Sequence, residues 1–220
     1  VGLNGFKYKK DLTLNAGNSG TLGRLILGLL VHSKKGIKIK GDESLSKRDF
    51  LRVIKPLEKF GAKFNSNYGK LPIRIQGTNN SKPIKYYENK GSAQCKSAVM
   101  FAALNTQGET IIKAKKSRDH SELLFKNLKL PIKVIKRKKH DIIKIKGKKK
   151  IPALNYKIPS DISSAAFFVV LTALSKNSQL KISNININPS RLGVFYILKL
   201  MGVKISKLNV RYYKGEKIAD

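Results

Sequence analysis

Three times along the chain, a short polar loop runs into an apolar segment, then a brief strand pattern, then a second polar start bearing Ser and Arg. The first starts are Gly17-Asn18-Ser19-Gly20-Thr21, Ser92-Ala93-Gln94-Cys95-Lys96-Ser97 and Ser160-Asp161-Ile162-Ser163-Ser164. Strand patterns follow at Ile37-Lys38-Ile39, Thr110-Ile111-Ile112 and Leu180-Lys181-Ile182. The second starts are Ser46-Lys47-Arg48, Ser117-Arg118-Asp119 and Pro189-Ser190-Arg191, and their arginines lie 70 and then 73 residues apart. Each unit closes near another strand pattern, at Gly61-Ala62-Lys63-Phe64, Pro131-Ile132-Lys133-Val134 and Gly202-Val203-Lys204-Ile205. This spacing is longer than that of common solenoid repeats, so each copy is a sizeable α/β module rather than one rung of a stack. The chain is therefore expected to be α/β (α+β), built from repeated units.

The helix starts have chemistry of their own. A Gly/Ser/Thr loop at a helix N-terminus presents unpaired N–H groups at the positive end of a dipole. An Arg nearby adds a planar fork that fits a phosphate or carboxylate. Two such starts close in sequence, Gly17–Arg24 and Gly41–Asp49, suggest a ligand with more than one anionic group.

Helical spacing of apolar residues predicts helices at about 21–31, 47–60, 95–106, 119–128, 162–175 and 190–201. Pro56 argues against an unbroken second helix. Strands are expected near 11–14, 72–77, 110–114, 132–136, 142–146, 180–184 and 203–206, with 1–16 otherwise a loop. Lys136-Arg137-Lys138-Lys139 lies between two apolar strand patterns and reads as a basic hairpin turn. No Pro/Gly/Ser-rich linker marks a domain boundary.

The formal charge of +33 fits nucleic-acid binding and fits equally a basic protein that steers small anionic substrates. The lysines are spread along the chain and often alternate with Ile, as in Ile142-Ile143-Lys144-Ile145-Lys146. That is the pattern of a half-buried strand with a solvated outer face. No aromatic stacking stripe or known nucleic-acid module accompanies them. A single Cys excludes an intrachain disulfide, and no metal-ligand cluster is visible. There is no apolar run of membrane-spanning length. Val1 opens the chain with neither an initiator Met nor a leader pattern, as a piece of a longer chain would.

Taken together, the motifs resemble the 5-enolpyruvylshikimate-3-phosphate synthases, the 3-phosphoshikimate 1-carboxyvinyltransferases. The resemblance rests on Gly17-Asn18-Ser19-Gly20-Thr21 with Arg24, Gly41-Asp42-Glu43-Ser44-Leu45-Ser46-Lys47-Arg48, and Ser92-Ala93-Gln94 with Lys96-Ser97. It also rests on Ser117-Arg118-Asp119-His120, Asp161-Ile162-Ser163-Ser164-Ala165-Ala166 and Asn188-Pro189-Ser190-Arg191. The Ser-Ala-Gln and Ser-Arg-Asp-His forms are similar to a bacterial subgroup that often tolerates glyphosate.

This resemblance implies a two-lobe fold of βαβαββ units, here incomplete, with residues 1–158 in the first lobe and 159–220 beginning the second. It implies transfer of the enolpyruvyl group of phosphoenolpyruvate to the 5-hydroxyl of shikimate 3-phosphate, releasing phosphate, in aromatic amino acid biosynthesis. No cofactor, metal, nucleic acid or membrane is implied, and the expected protein is cytoplasmic and monomeric at full length. Carried over by position, Ser92, Ala93, Gln94, Ser117 and Arg118 match contacts to shikimate 3-phosphate, with Gln94 also near phosphoenolpyruvate. Gly20 and Arg48 match contacts to phosphoenolpyruvate, and Asn18, Thr21 and Arg24 are supporting residues. Asp49 departs from the family, where Pro often follows the Arg; its carboxylate would partly neutralise Arg48 or cap a helix. Catalytic acid/base groups match nothing within the chain, which by itself is expected to be inactive.

Other residues carry two readings each. Cys95 could be a nucleophile but begins an apolar helix, where Cys behaves as a small hydrophobe. Asp161 could be catalytic but reads better as an N-cap, and Arg191 reads as a repeat-equivalent structural Arg. His120 could be an acid/base group but reads better as a first-turn or core residue, and His32 and His140 read as surface residues. The UDP-N-acetylglucosamine carboxyvinyltransferases share the fold and are the alternative enzyme, disfavoured by Ser-Leu-Ser-Lys-Arg and Ser-Arg-Asp-His. A basic nucleic-acid-binding repeat protein is the alternative outside enzymes.

Overall fold

A computed structural model describes residues 12–33, 35–147 and 151–220. The expected N-terminal loop over 1–11 and the lysines at 148–150 lie outside the described residues. The chain divides into two units. One comprises Val1–Ser117 and Lys129–Pro152; the other comprises Arg118–Leu128 and Ala153–Asp220. The division after the last long strand thus falls at 152/153, and residues 118–128 group with the second unit.

The first unit contains two copies of one topology. In the first copy, β1 (Leu12–Asn15) leads through α1 (Gly20–Leu30) to β2 (Ile37–Lys40). The chain continues through α2 (Glu43–Ser46) and α3 (Leu51–Glu58) to the hairpin β3 (Lys63–Asn67) and β4 (Lys70–Gln76). The second copy begins with β5 (Lys85–Glu88), α4 (Ala93–Asn105) and β6 (Glu109–Lys115). After α5 (His120–Asn127), it ends in β7 (Ile132–Lys136) and β8 (His140–Lys146). The sheets run β1-β2-β4-β3 and β5-β6-β8-β7, each with one parallel pair and an antiparallel hairpin at the far edge. The Ile/Lys alternation accounts for the sheets: Ile37, Ile39, Ile73, Ile75, Ile143 and Ile145 are buried while the intervening residues face outward. Residues 137–139 form the expected basic turn.

Helices α1 and α4 meet closely. A Cβ on Gly28 would lie 2.1 Å from the Ala98 carbonyl oxygen, so only glycine permits this approach. Around it Leu27, Leu30, Ala98, Val99, Met100 and Ala102 are fully or almost fully buried.

The expected helix over 47–60 begins only at Leu51, as α3, and the short α2 is a separate helix ahead of it. Asp42 caps α2 by accepting the Leu45 N–H at 2.7 Å, and the chain breaks over 47–50, where Phe50 is buried completely. Asp49 then accepts the Leu51 N–H at 2.7 Å at the start of α3, which runs through Pro56. The break precedes the proline instead of falling at it, because two acidic side chains offer the backbone separate starts.

The second unit contains α5 and a third copy. Ser160 bridges Ile185 in parallel, α6 (Ile162–Leu174) crosses to β9 (Ile185–Asn186), and a 3₁₀ turn (Pro189–Arg191) leads into α7 (Gly193–Leu200). β10 (Arg211–Tyr213) and β11 (Glu216–Ala219) complete the copy. The sheet order β9-β11-β10 repeats that of the first unit. The strands expected at 180–184 and 203–206 are absent. Asn184, at φ 53°, turns the chain, and the alternation that is buried is Ile185/Ile187. The hairpin instead forms around Lys214-Gly215, both with positive φ, the two-residue turn that matches strand twist. Tyr68-Gly69 makes the same turn between β3 and β4.

Ile162, Ile185, Ile187, Phe195 and Ala219 form the core of this unit. Phe167, Phe168, Leu171 and Leu174 of α6 and Ile197 and Leu200 of α7 are exposed, unlike the matching faces of α1 and α4.

Candidate functional site

The first unit brings six of the expected residues, Gly20, Thr21, Arg24, Arg48, Ser92 and Gln94, together where α1 and α4 begin. Ser19 and Ser92 are their N-caps, accepting the Leu22 N–H at 3.1 Å and the Cys95 N–H at 3.2 Å. Gln94, in the first turn of α4, uses both ends of its amide. Arg24 Nη1 donates to its Oε1 at 2.9 Å, and its Nε2 donates to Thr21 Oγ1 at 2.9 Å. Arg24 also donates to the Asp49 carbonyl at 3.3 Å and lies 4.9 Å from the centre of the Phe50 ring. A Cβ on Gly20 would stand 2.9 Å from Arg24 Nη1 and 3.5 Å from Arg48 Nη1, so both guanidinium groups border the first helical residue of α1.

The electrostatics follow from burial. Arg24 is buried, and its pKa is lowered chiefly by that burial and by the positive charge of Arg52, with Arg48 adding less and Cys95 and Asp49 opposing. Three arginines beside two helix N-termini make a positive site whose buried member is held by a neutral amide. Such a site favours an anion at the exposed Arg48 edge. Asn18 braces the loop, its Nδ2 donating to Asp42 Oδ2 at 2.6 Å, and Asp42 N–H donates to the Gly17 carbonyl at 2.9 Å.

Ser92 and Ala93 are half-buried beside Gln94. Ser117 is half-buried, with its Oγ shielded from solvent and without a hydrogen-bond partner, and it belongs to the first unit. Arg118 is exposed and belongs to the second unit. Arg52 and Phe50 were not singled out from the sequence. Arg52 follows Arg48 by four residues, a spacing that could have flagged it; the Phe50 contact has no local signal.

Several lone candidates resolve into packing. Cys95 is buried, and that burial pushes its thiol pKa up, against a bond from Ser92 and nearby arginines; it behaves as a core residue. Asp161 caps α6 by accepting the Ser164 N–H at 3.2 Å, and Arg191 pairs with it at 2.6 Å. His32 is not a surface residue. It is half-buried, and its Nε2 lies 2.9 Å from Ser81 Oγ and 3.1 Å from Thr106 Oγ1, because α1 ends against the segments bearing them. His140 is half-buried at the start of β8. Among the described residues no group of three or more His, Cys, Asp or Glu could hold a metal, and no helix is long and apolar enough to cross a membrane.

The model of a protein family described as EPSP synthase (3-phosphoshikimate 1-carboxyvinyltransferase) matches residues 2–217. A 3-phosphoshikimate 1-carboxyvinyltransferase of Ruthia magnifica subsp. Calyptogena magnifica is 46% identical over 222 residues, covering 100% of this chain and 50% of that protein. One from Vesicomyosocius okutanii subsp. Calyptogena okutanii is 44% identical over 221 residues, with 100% and 50% coverage. A solved EPSP synthase from Acinetobacter baumannii superposes with a TM-score of 0.79 at 37% identity, covering 94% of this chain and 46% of that one. The chain spans about half the length of the curated relatives it matches.

Proposed function

The chain belongs to the EPSP synthase family, and from that premise we propose that it contributes the anion-binding part of a 3-phosphoshikimate 1-carboxyvinyltransferase. The reaction joins the 5-hydroxyl of shikimate 3-phosphate to phosphoenolpyruvate after its methylene carbon is protonated, and phosphate then leaves. In this reading Gly20 and Arg48 receive phosphoenolpyruvate, and Ser92, Ala93, Gln94, Ser117 and Arg118 receive shikimate 3-phosphate. Arg24, Thr21 and Asn18 hold the helix starts in place. The residues 1–158 and 159–220 belong to the two lobes of the family fold.

The observation that carries the proposal is Gln94, bonded at both ends to α1 between two arginines and two helix N-termini. That is a preorganised receptor for an anion, with its donors already oriented. We further propose a cytoplasmic protein, monomeric at the full length of its relatives, that uses no cofactor and binds no nucleic acid. The charge then serves to steer anionic substrates.

Proton transfer needs acid/base groups that match nothing in these 220 residues, so the chain by itself should bind without turnover. Amide chemical shifts on titration with shikimate 3-phosphate and with phosphoenolpyruvate test the reading. Saturable shifts at Gly20, Arg48 and Gln94 are expected. Arg48→Ala should weaken phosphoenolpyruvate binding by about 1.5–3 kcal/mol, the worth of a charge-assisted hydrogen bond. Shifts that appear only with nucleic acid, or no saturable shift with either substrate, would refute it.

A further inference from the structure

The residues that follow Arg118 are held in an unusual way. Asp119 occupies the N-cap position of α5, yet its side chain makes no capping bond to that helix. Its Oδ1 instead accepts from Asn188 Nδ2 at 2.8 Å. The next residue, His120, has its Nδ1 2.6 Å from Glu216 Oε1. The other carboxylate oxygen, Glu216 Oε2, accepts from Asn186 Nδ2 at 2.9 Å, and Asn188 bonds Glu216 as well.

Glu216 and Asn188 are both buried. A buried carboxylate is costly unless its lone pairs are filled, and here three side chains fill them. The turn before Glu216 presses on the same helix: a Cβ on Gly215 would sit 2.9 Å from the Leu123 carbonyl oxygen. Four buried or half-buried polar residues and a glycine thus converge on the first turns of an eight-residue helix that begins two residues after Arg118. A helix this short has little stability of its own. An apolar contact would hold it in the core; a directional network fixes where its first turn lies.

We propose that Glu216, acting through His120 and together with Asn188, is a positioning residue for Arg118. It fixes the backbone immediately after the arginine so that the guanidinium is presented to shikimate 3-phosphate in one place. Ordering Arg118 before the ligand arrives removes part of the conformational entropy cost of binding. This inference rests on the proposed reading that Arg118 receives an anionic substrate.

A double-mutant cycle tests it, with shikimate 3-phosphate as the probe and isothermal titration of the whole chain as the readout. Glu216→Gln should weaken binding about tenfold, a coupling within the usual range for groups in one network. In the Arg118→Ala background the same change should have no further effect, an outcome that a merely structural role would not produce. His120→Ala provides a second variant that leaves Glu216 bonded to Asn186 and Asn188. It should weaken binding in the same direction, and His120→Asn, which restores a donor near Nδ1, should recover it.

Equal losses from Glu216→Gln in both backgrounds, or weakening by Arg118→Ala with none from Glu216→Gln and His120→Ala, would overturn the proposal. If Arg118→Ala and Arg48→Ala both bind like the parent chain, the functional reading itself fails, and the positioning role falls with it.

Discussion

Gly28→Ala is the sharpest perturbation of the site that touches none of its residues. The added methyl would stand 2.1 Å from the Ala98 carbonyl oxygen, 2.9 Å from its carbonyl carbon and 3.0 Å from its Cα. These are backbone atoms inside α4, so no rotamer change relieves the overlap, and the two helices must separate by roughly an ångström. Overpacking of this kind costs about 1–3 kcal/mol, and the backbone target puts it at the upper end. Alanine returns only about 1 kcal/mol of helix propensity. Separation also stretches the Arg24–Gln94 bond, which spans the same two helices, and losing it adds about 1.5–3 kcal/mol. A net loss of about 3.5–5 kcal/mol is expected from these three contributions. Urea unfolding followed by amide signals of the first unit would measure it, alongside titration with shikimate 3-phosphate, whose affinity should fall as well. Gly193→Ala is the matched control. It opens α7 with nothing within 4 Å of the added methyl and should be neutral or stabilising. Stability of Gly28→Ala within experimental error of the parent, or a large stability loss with unchanged affinity, would refute the helix-contact account of the site.

The pH dependence of the second unit should carry the signature of Glu216. Burial raises its pKa, but the bonds from His120, Asn186 and Asn188 outweigh that and hold it below the ordinary 4.5. A depressed carboxyl stabilises the fold above the unfolded pKa and loses that contribution as pH falls through the lower folded value. Acid unfolding of the second unit should therefore steepen below about pH 4.5 in the parent, and Glu216→Gln should flatten that step; an unchanged acid limb would count against the network. The exposed Phe167, Phe168, Leu171 and Leu174 should make the chain bind a hydrophobic dye and self-associate with concentration. Phe168→Lys with Leu171→Lys should abolish both in dye fluorescence and sedimentation, and a parent chain that is monomeric and dye-silent would show the face to be covered.

Much of this architecture was legible because its signals are local. Ser19, Ser92 and Asp161 announce three helix starts, and each is an N-cap. The alternating Ile/Lys strands show which face is buried without reference to any partner. The failures are equally physical. The apolar pattern at 180–184 was overruled by the positive φ of Asn184, which moved the strand to Ile185, and the pattern at 203–206 by a Lys-Gly turn that formed the hairpin further on. The role of Arg24 as the hub of the site was beyond local reading, since it depends on Gln94, 70 residues away, and on the close helix approach that Gly28 permits.

The repeat also sets the proposed receptor and a structural element on one scaffold. In the third copy, the arginine at the second start, Arg191, reaches back to the first start and pairs with Asp161 at 2.6 Å. In the first copy, the equivalent Arg48 reaches the same place, with its guanidinium 3.5 Å from a Cβ position on Gly20. The difference lies in the caps. Asp161 brings its own negative charge to the helix N-terminus and satisfies the arginine from within, and that pairing lowers its own pKa against the opposing effect of burial. Ser19 caps the first helix with a neutral oxygen and leaves the positive potential of the helix start and of Arg48 uncompensated by the cap. An anion from solution can supply in the first copy the charge that a side chain supplies in the third. Ser92 makes the second copy resemble the first in this respect. The choice of Ser or Asp at one capping position thus separates the modules where an anion site is proposed from the module whose anion is built in.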